Sequence, residues 1–249
     1  LMLFGAAAQF GIFFTFAMAA LLGFDIRDAA SIAVIGAADG PTSIFVANFL
    51  NSQYLGPIIV AAYSYMALVP IVQPPVIRAL TTKHERRIRM GYTGTKVTKR
   101  TKILFPIFVT ILTGIVSPRA VALIGFLMFG NLLRECGVLE ALSETAQKVL
   151  ANLITLLLGI TVASKMTADA FLNWQTLMIL GLGLVAFIFD TVGGVLFAKV
   201  LNLFCKNKIN PMIGAAGISA FPMSARVVHK MGLAEDNQNF LLMHAVGVN

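Results

Sequence analysis

The chain has 249 residues, 58% of them hydrophobic and only 12% charged, with a formal net charge of +8. A soluble domain carries roughly twice that charged fraction, so this composition excludes an ordinary globular class. Cys136 and Cys205 are too few and too far apart for a disulfide framework.

The first apolar stretch, Leu1–Phe24, is long enough to cross a bilayer core of about 30 Å, which takes about 20 helical residues. The chain opens on Leu1 and stops inside an apolar run at Asn249, so it reads as an internal piece of a longer protein. After an acidic turn at Asp25–Asp28, the next apolar run is interrupted by Ile35-Gly-Ala-Ala-Asp39-Gly-Pro-Thr42-Ser43. From Ala29 to Ala38 a helix rises about 15 Å, half a membrane. Gly40 and Pro41 then break it, and Ser43–Leu50 forms a second half-length limb. This pattern predicts a re-entrant hairpin over residues 29–50 with Asp39, Thr42 and Ser43 at its tip. Irregular backbone at that depth must be buried in protein or line a polar cavity. A charged aspartate there costs about 2.5–3.5 kcal/mol on insertion scales, so Asp39 is a functional candidate, against the plainer reading of a packing carboxyl.

Tyr54–Leu80 is the next span, and Tyr65 within it is in reach of the same cavity or is a packing tyrosine. Between Arg78 and Lys102 lie nine of the nineteen basic residues, opposed locally only by Glu85. That concentration reads as a cytoplasmic loop rather than a nucleic-acid surface. Counting spans from it places sixteen basic residues inside and three, Arg27, Arg119 and Lys165, outside. Ile103–Val116 is short for a span; it either tilts little or pairs with Ala120–Leu133 as a hairpin. Glu135, Glu140 and Glu144 with Arg134 and Lys148 form an amphipathic stretch, read as a solvated surface ahead of a partner contact. Val149–Ala163 and Trp174–Leu201 complete the apolar stretches, with Lys165 and Asp169 expected as a solvated pair at an outer end. Asp190 lies deep in the last of them, either as an ion ligand or proton relay or as a packing group beside Gly193 and Gly194.

A second interruption follows: Asn210-Pro-Met-Ile-Gly214-Ala-Ala-Gly217-Ile-Ser219-Ala-Phe-Pro222-Met-Ser224-Ala-Arg226. By the span count it enters from the face opposite the first. Two broken segments in corresponding places of oppositely oriented halves are the sequence signature of a transporter with a site at the midplane. The expected organisation is therefore an all-α polytopic membrane protein with inverted repeats: residues 1–80, a basic loop 81–102, intervening helices 103–173, and residues 174–249 with the broken segment 209–228. Asp39, Thr42, Asn210 and Ser219 offer hard oxygen ligands, which suit Na⁺ or H⁺. On a straight helix Asn210 and Gly214 share a face and Ser219 points away, so either the helix unwinds at Gly217 or there are two sites. His84, His229 and His244 have no metal-ligand spacing.

The segments "GAADGPTSIF" and "NPMIGAAGISAFPMSARVV", with "LMFGNLLRECGVLEALSETAQ" and "FDTVGGVLFAK", resemble the β subunit of sodium-pumping, biotin-dependent decarboxylases of the oxaloacetate, methylmalonyl-CoA and glutaconyl-CoA types. The resemblance covers nearly the whole chain. It implies a multi-pass protein of a bacterial or archaeal cell membrane that takes carboxybiotin from a biotin carrier subunit, releases CO₂, consumes a proton and exports Na⁺ by an elevator-like motion. It also implies a carboxyltransferase subunit, a small membrane subunit and a homo-oligomer within the complex. Carried over position by position, Asp39 matches the essential aspartate and Tyr65 its associated tyrosine. Asn210, Gly214 and Ser219 match the polar positions of the second break, and Arg226 matches the arginine that follows it; lying near the expected cytoplasmic surface, Arg226 is the residue expected to hold the carboxylate of carboxybiotin. Ala37 stands where the family pattern has a second glycine. The competing reading is a sodium-coupled carboxylate transporter or antiporter without enzyme chemistry.

Overall fold

The computed structural model describes residues 2–37, 39–91, 97–165, 173–205, 208–218, 220 and 223–249. All regular structure among them is helical. Three helices, Leu3–Leu21, Leu55–Leu80 and Trp174–Phe204, are long and apolar enough to cross a membrane. The chain divides into two compact units, Leu1–Tyr92 with Lys165–Asn249, and Thr93–Ser164.

The larger unit is built around one helix. Helices α1 (Met2–Ala8) and α2 (Phe10–Leu21) are separated by a break at Gln9. The first interruption forms α3 (Ile26–Ala33), a 3₁₀ turn over Val34–Ala37, and α4 (Gly40–Phe49). The break falls just before Gly40 and not at it. Gly40 and Pro41 are the first residues of α4, where a proline costs nothing because its missing N–H would be unpaired anyway. The limbs fold back on one another: Ser52 Oγ and Gln53 Nε2, just past α4, donate to Asp28 near the start of α3 at 2.6 and 3.0 Å. Asn51, with φ 52°, lies in the turn that leads from α4 to the next helix.

Helix α5 (Leu55–Leu80) follows, with Pro70, Pro74 and Pro75 inside it, and then the short α6 (Lys83–Arg86) closed by a Thr82–Glu85 capping box. The smaller unit contains α7 (Lys99–Val116), α8 (Val121–Cys136), α9 (Glu140–Thr145) and α10 (Ala151–Lys165), the last two joined through a π-helical turn. Helices α7 and α8 form an antiparallel hairpin: Gly114 faces Val121, Gly125 faces Thr110, and Lys102 pairs with Glu135 at 3.1 Å. Pairing with its neighbour is thus how the short Ile103–Val116 stretch is accommodated. Glu140, Glu144 and Lys148 are exposed. The Lys165 and Asp169 side chains lie outside the described residues.

Helix α11 (Trp174–Phe204) is the spine of the larger unit. Its 31 residues rise roughly 46 Å, and α1, α2, α5, the first 3₁₀ turn and the second broken segment all pack on it. That segment begins as a 3₁₀ helix over Pro211–Gly217, and α12 (Met223–Glu235) and α13 (Leu242–Val248) follow. The core side chains form two groups along the spine. One holds Ile32, Ile35, Ile58, Tyr65 and Ile179; the other holds Phe4, Phe187, Met212, Ile213 and Ile218. Large apolar side chains elsewhere are outward-facing, including Phe13, Phe108, Ile115 and Leu203, as a lipid-facing surface requires.

Candidate functional site

Asp39 is held by the start of α4. As N-cap it accepts from the Thr42 hydroxyl at 2.5 Å, with the Thr42 N–H more distant at 3.5 Å. Buried Ser43 turns its hydroxyl back to the Asp39 carbonyl at 2.8 Å. The carboxylate thus sits where unpaired N–H groups and the helix dipole favour negative charge. Over it lies Tyr63: a methyl group on Gly40 would fall 2.2 Å from the ring Cζ. The Tyr63 hydroxyl is buried and has no hydrogen-bond partner among the described residues. An aspartate, a threonine hydroxyl and an uncommitted phenol therefore gather at one helix end, all hard oxygen donors.

Tyr65 is placed differently. Its hydroxyl donates to the Leu180 carbonyl of α11, and its ring lies against Gly183 together with Ile35. It joins α5 to the spine beside the first 3₁₀ turn. Tyr63, two residues earlier, carries the free hydroxyl; the sequence reading named only Tyr65. The signal was the tyrosine spacing itself, since residues two apart face different directions on a helix.

Asn210 is fully buried, and both ends of its amide are used. Oδ1 accepts from Met212 N–H and caps the 3₁₀ helix; Nδ2 donates to the Arg86 and Ile88 carbonyls at 2.9 Å each. These carbonyls lie beyond the end of α5, whereas Tyr63 is near its start, roughly 25 Å away along the helix. Asn210 and Asp39 are therefore not brought together. The Asn-Pro pair carries the signal for this capping role, an amide followed by proline at the first helical position.

Gly214 meets the spine at Gly194. A methyl on either glycine would fall 2.1 Å from the other's carbonyl oxygen, so the two backbones touch with no side chain between them. Gln73 of α5 steadies the same segment, donating to the Ala215 carbonyl at 2.7 Å and exchanging hydrogen bonds with Ser224. The 3₁₀ helix ends at Gly217, and Ile218 is extended, with φ −71° and ψ 148°. The segment unwinds where the faces of Asn210 and Ser219 conflicted; Ser219 itself lies outside the described residues. Arg226 is exposed on α12, on the face opposite buried Ser224, Val227 and Val228.

The two broken segments converge on the spine. Gly36 of the first packs against Ala186 and Asp190, and Gly214 of the second against Gly194, one helical turn further on.

The first part of the basic loop, Glu85 to Arg89, is pinned by ion pairs. Arg86, buried, donates to Glu235 at 2.7 Å, Arg89 pairs with Asp236 at 2.6 Å, and Lys199 with Glu85 at 3.1 Å. The Arg86 hydrogen bond holds the Glu235 carboxyl below the usual glutamate range, and the Arg89 bond does the same for Asp236. Among the described residues no group of three or more His, Cys, Asp or Glu could hold a metal ion.

Comparison with known proteins matches residues 1–249 to the family model described as the Na⁺-transporting oxaloacetate decarboxylase β subunit. The chain is 55% identical over 254 residues to a probable oxaloacetate decarboxylase β chain of Pasteurella multocida, covering 100% of this chain and 58% of that protein. It is 55% identical over 249 residues to the methylmalonyl-CoA decarboxylase subunit β of Propionigenium modestum, with 100% and 63% covered. It is 50% identical over 248 residues to the glutaconyl-CoA decarboxylase subunit β of Acidaminococcus fermentans, with 100% and 66% covered. The chain thus spans about 58–66% of the length of these curated relatives.

Proposed function

The chain belongs to the Na⁺-transporting oxaloacetate decarboxylase β-subunit family, and from that premise we propose that it forms the membrane core of a carboxybiotin decarboxylase. In this reading it couples CO₂ release from a biotin carrier subunit to Na⁺ export, with consumption of a proton. The observation that carries the reading is Asp39 at the N-terminus of half-length α4, beside the Thr42 hydroxyl and the unpartnered Tyr63 hydroxyl. This donor set suits a small hard cation as cargo, and one carboxylate serves Na⁺ and H⁺ in turn. The relatives named above are decarboxylase subunits, and no observation singles out a carrier without enzyme chemistry.

Na⁺ enters from the cytoplasm, displaces a proton from Asp39 and is coordinated by Asp39, Thr42 and the Tyr63 hydroxyl, with Tyr65 bracing the first break against α11. Asn210, Gly214 and Ser219 form the second broken segment: Asn210 fixes its entry, Gly214 is its backbone contact with α11, and Ser219 adds a hydroxyl beyond the unwound point. Exposed Arg226 holds the carboxylate of carboxybiotin, a group that the partner carrier brings. Decarboxylation drives the two broken segments along α11 in an elevator-like motion between inverted repeats, and Asp39 is reprotonated from outside. The complex includes the biotin carrier, carboxyltransferase and small membrane subunits, is homo-oligomeric in this chain, and sits in a bacterial or archaeal cell membrane.

The test is Asp39→Asn in the whole complex reconstituted into proteoliposomes. Both Na⁺ uptake and Na⁺-stimulated decarboxylation are expected to vanish while avidin still captures the assembled complex. Sodium-dependent turnover surviving in this variant would overturn the assignment.

A further inference from the structure

Asp190 stands near the midpoint of α11 and is fully buried, yet among the described residues neither carboxylate oxygen has a hydrogen bond of normal geometry. The nearest donors are the backbone N–H groups of Gly11 and Ile12 in the first turn of α2, a helix without a side-chain cap of its own. Bare backbone closes in from two sides. A methyl at Gly11 would fall 2.6 Å from Asp190 Oδ1, and one at Gly36 2.9 Å from Oδ2. One side belongs to the α1–α2 break and the other to the first 3₁₀ turn; the Gly194–Gly214 contact lies one turn beyond. Thr15, one turn from Gly11 on the same face of α2, is also buried with no partner for its hydroxyl among the described residues.

The elements packed on Asp190 supply no countercharge among the described residues. Helix α2 presents Gly11, Ile12 and Thr15, the 3₁₀ turn presents Gly36, and α11 presents Ala186 one turn away. The neighbouring elements carry Asp39, within about 10 Å of Gly36 by the reach of the chain, and Tyr65, against Gly183 two turns back along α11. An unpaired buried charge costs several kcal/mol. Filling space between glycines requires no carboxyl, so the countercharge is mobile. Among the described residues no cluster of three or more His, Cys, Asp or Glu includes Asp190, and backbone N–H groups face it, which disfavours a metal cation there and leaves the proton.

We propose that Asp190 is a proton-exchanging carboxyl of the transport cycle, separate from Asp39, that loads and releases H⁺ as the two broken segments move along α11. Its O–H bond breaks when water reaches it past Gly36, the proton leaves to that water, and a proton from water restores it. No further reactant is needed. The placement of this step in a pump cycle rests on the function proposed above.

Asp190→Asn and Asp190→Glu are tested in the whole reconstituted complex, with Na⁺ uptake and decarboxylation followed against pH. Asp190→Asn is expected to lower turnover at least tenfold and to remove one ionisation from the pH profile, while Na⁺ still protects the complex against heat. Asp190→Glu is expected to restore part of the rate with a displaced profile. Wild-type turnover with an unchanged profile in Asp190→Asn overturns the proposal. Should that variant fail to assemble, infrared difference spectra on a pH jump decide. In Asp39→Asn a protonated-carboxyl C=O band is expected to remain and to shift when Asp190→Glu is added; no responding band, or an unshifted one, overturns it. Retention of sodium-dependent turnover in Asp39→Asn defeats only the Asp39 assignment and leaves the Asp190 band decided by its own variants.

Discussion

The phenol ring of Tyr63 rests against the Cα of Gly40, so closely that a methyl group there would overlap it at 2.2 Å. The residue after Asp39 is glycine because a ring, and not solvent, covers the start of α4. Gly40→Ala is expected to push α4 away from α5 and to destabilise the complex by about 1–3 kcal/mol, the usual cost of overpacking. The double variant Gly40→Ala, Tyr63→Leu recovers part of that loss. Thermal unfolding of the single and double variants checks the coupling, and additive losses would rule it out.

The two tyrosines of α5 separate in their effects. Tyr63→Phe removes the uncommitted hydroxyl beside Asp39 and is expected to raise the Na⁺ concentration for half-maximal decarboxylation about tenfold, the equivalent of about 1.4 kcal/mol. Its effect on unfolding is small. Tyr65→Phe removes the hydroxyl that donates to the Leu180 carbonyl and is expected to cost about 1 kcal/mol of stability. Sodium titrations of both variants beside their melting curves distinguish a ligand from a brace.

At the other end of the first hairpin, buried Asp28 accepts from Ser52 Oγ, Gln53 N–H and Gln53 Nε2. Asp28→Ala strands those donors and is expected to destabilise the hairpin by about 2–4 kcal/mol. Asp28→Asn, which keeps an acceptor oxygen, costs less. Proteolysis at the Asn51–Gln53 turn in membranes reads the difference directly.

The Arg86–Glu235 pair gives the protein an acid-side dependence. Because the Arg86 hydrogen bond lowers the Glu235 carboxyl in the folded chain, the pair's contribution is complete above the ordinary glutamate value of 4.5. It is lost as pH falls through the depressed folded value, where the carboxyl takes up a proton. Glu235→Gln is expected to flatten this acid limb and to leave the slope near neutrality unchanged. Melting temperatures from neutral pH down to below the glutamate range check it.

Local chemistry made the breaks legible. Gly40-Pro41 and Asn210-Pro211 announce helix starts, and a half-membrane limb before Asp39 limits where the chain can go. The basic run from Arg78 to Lys102 was legible as a loop, but not as one anchored by Glu235 and Asp236, more than 130 residues away in the chain. Register between helices is a tertiary property. Nothing within Tyr54–Leu80 says that Tyr63 turns to Gly40 while Tyr65 turns to Leu180. On sequence alone Asn210 is a ligand candidate because its amide offers a hard oxygen within a broken apolar stretch; the carbonyls that take its amide N–H bonds come from Arg86 and Ile88.

The meeting of Gly194 and Gly214 has a mechanical consequence. Most joints between helices are upholstered: side chains change rotamer and absorb small displacements before the backbones part. Here two hydrogens stand where two side chains would be, so the joint has no padding to compress. The second broken segment either rides on the spine in register or lets go of it, which makes this contact a detent rather than a spring.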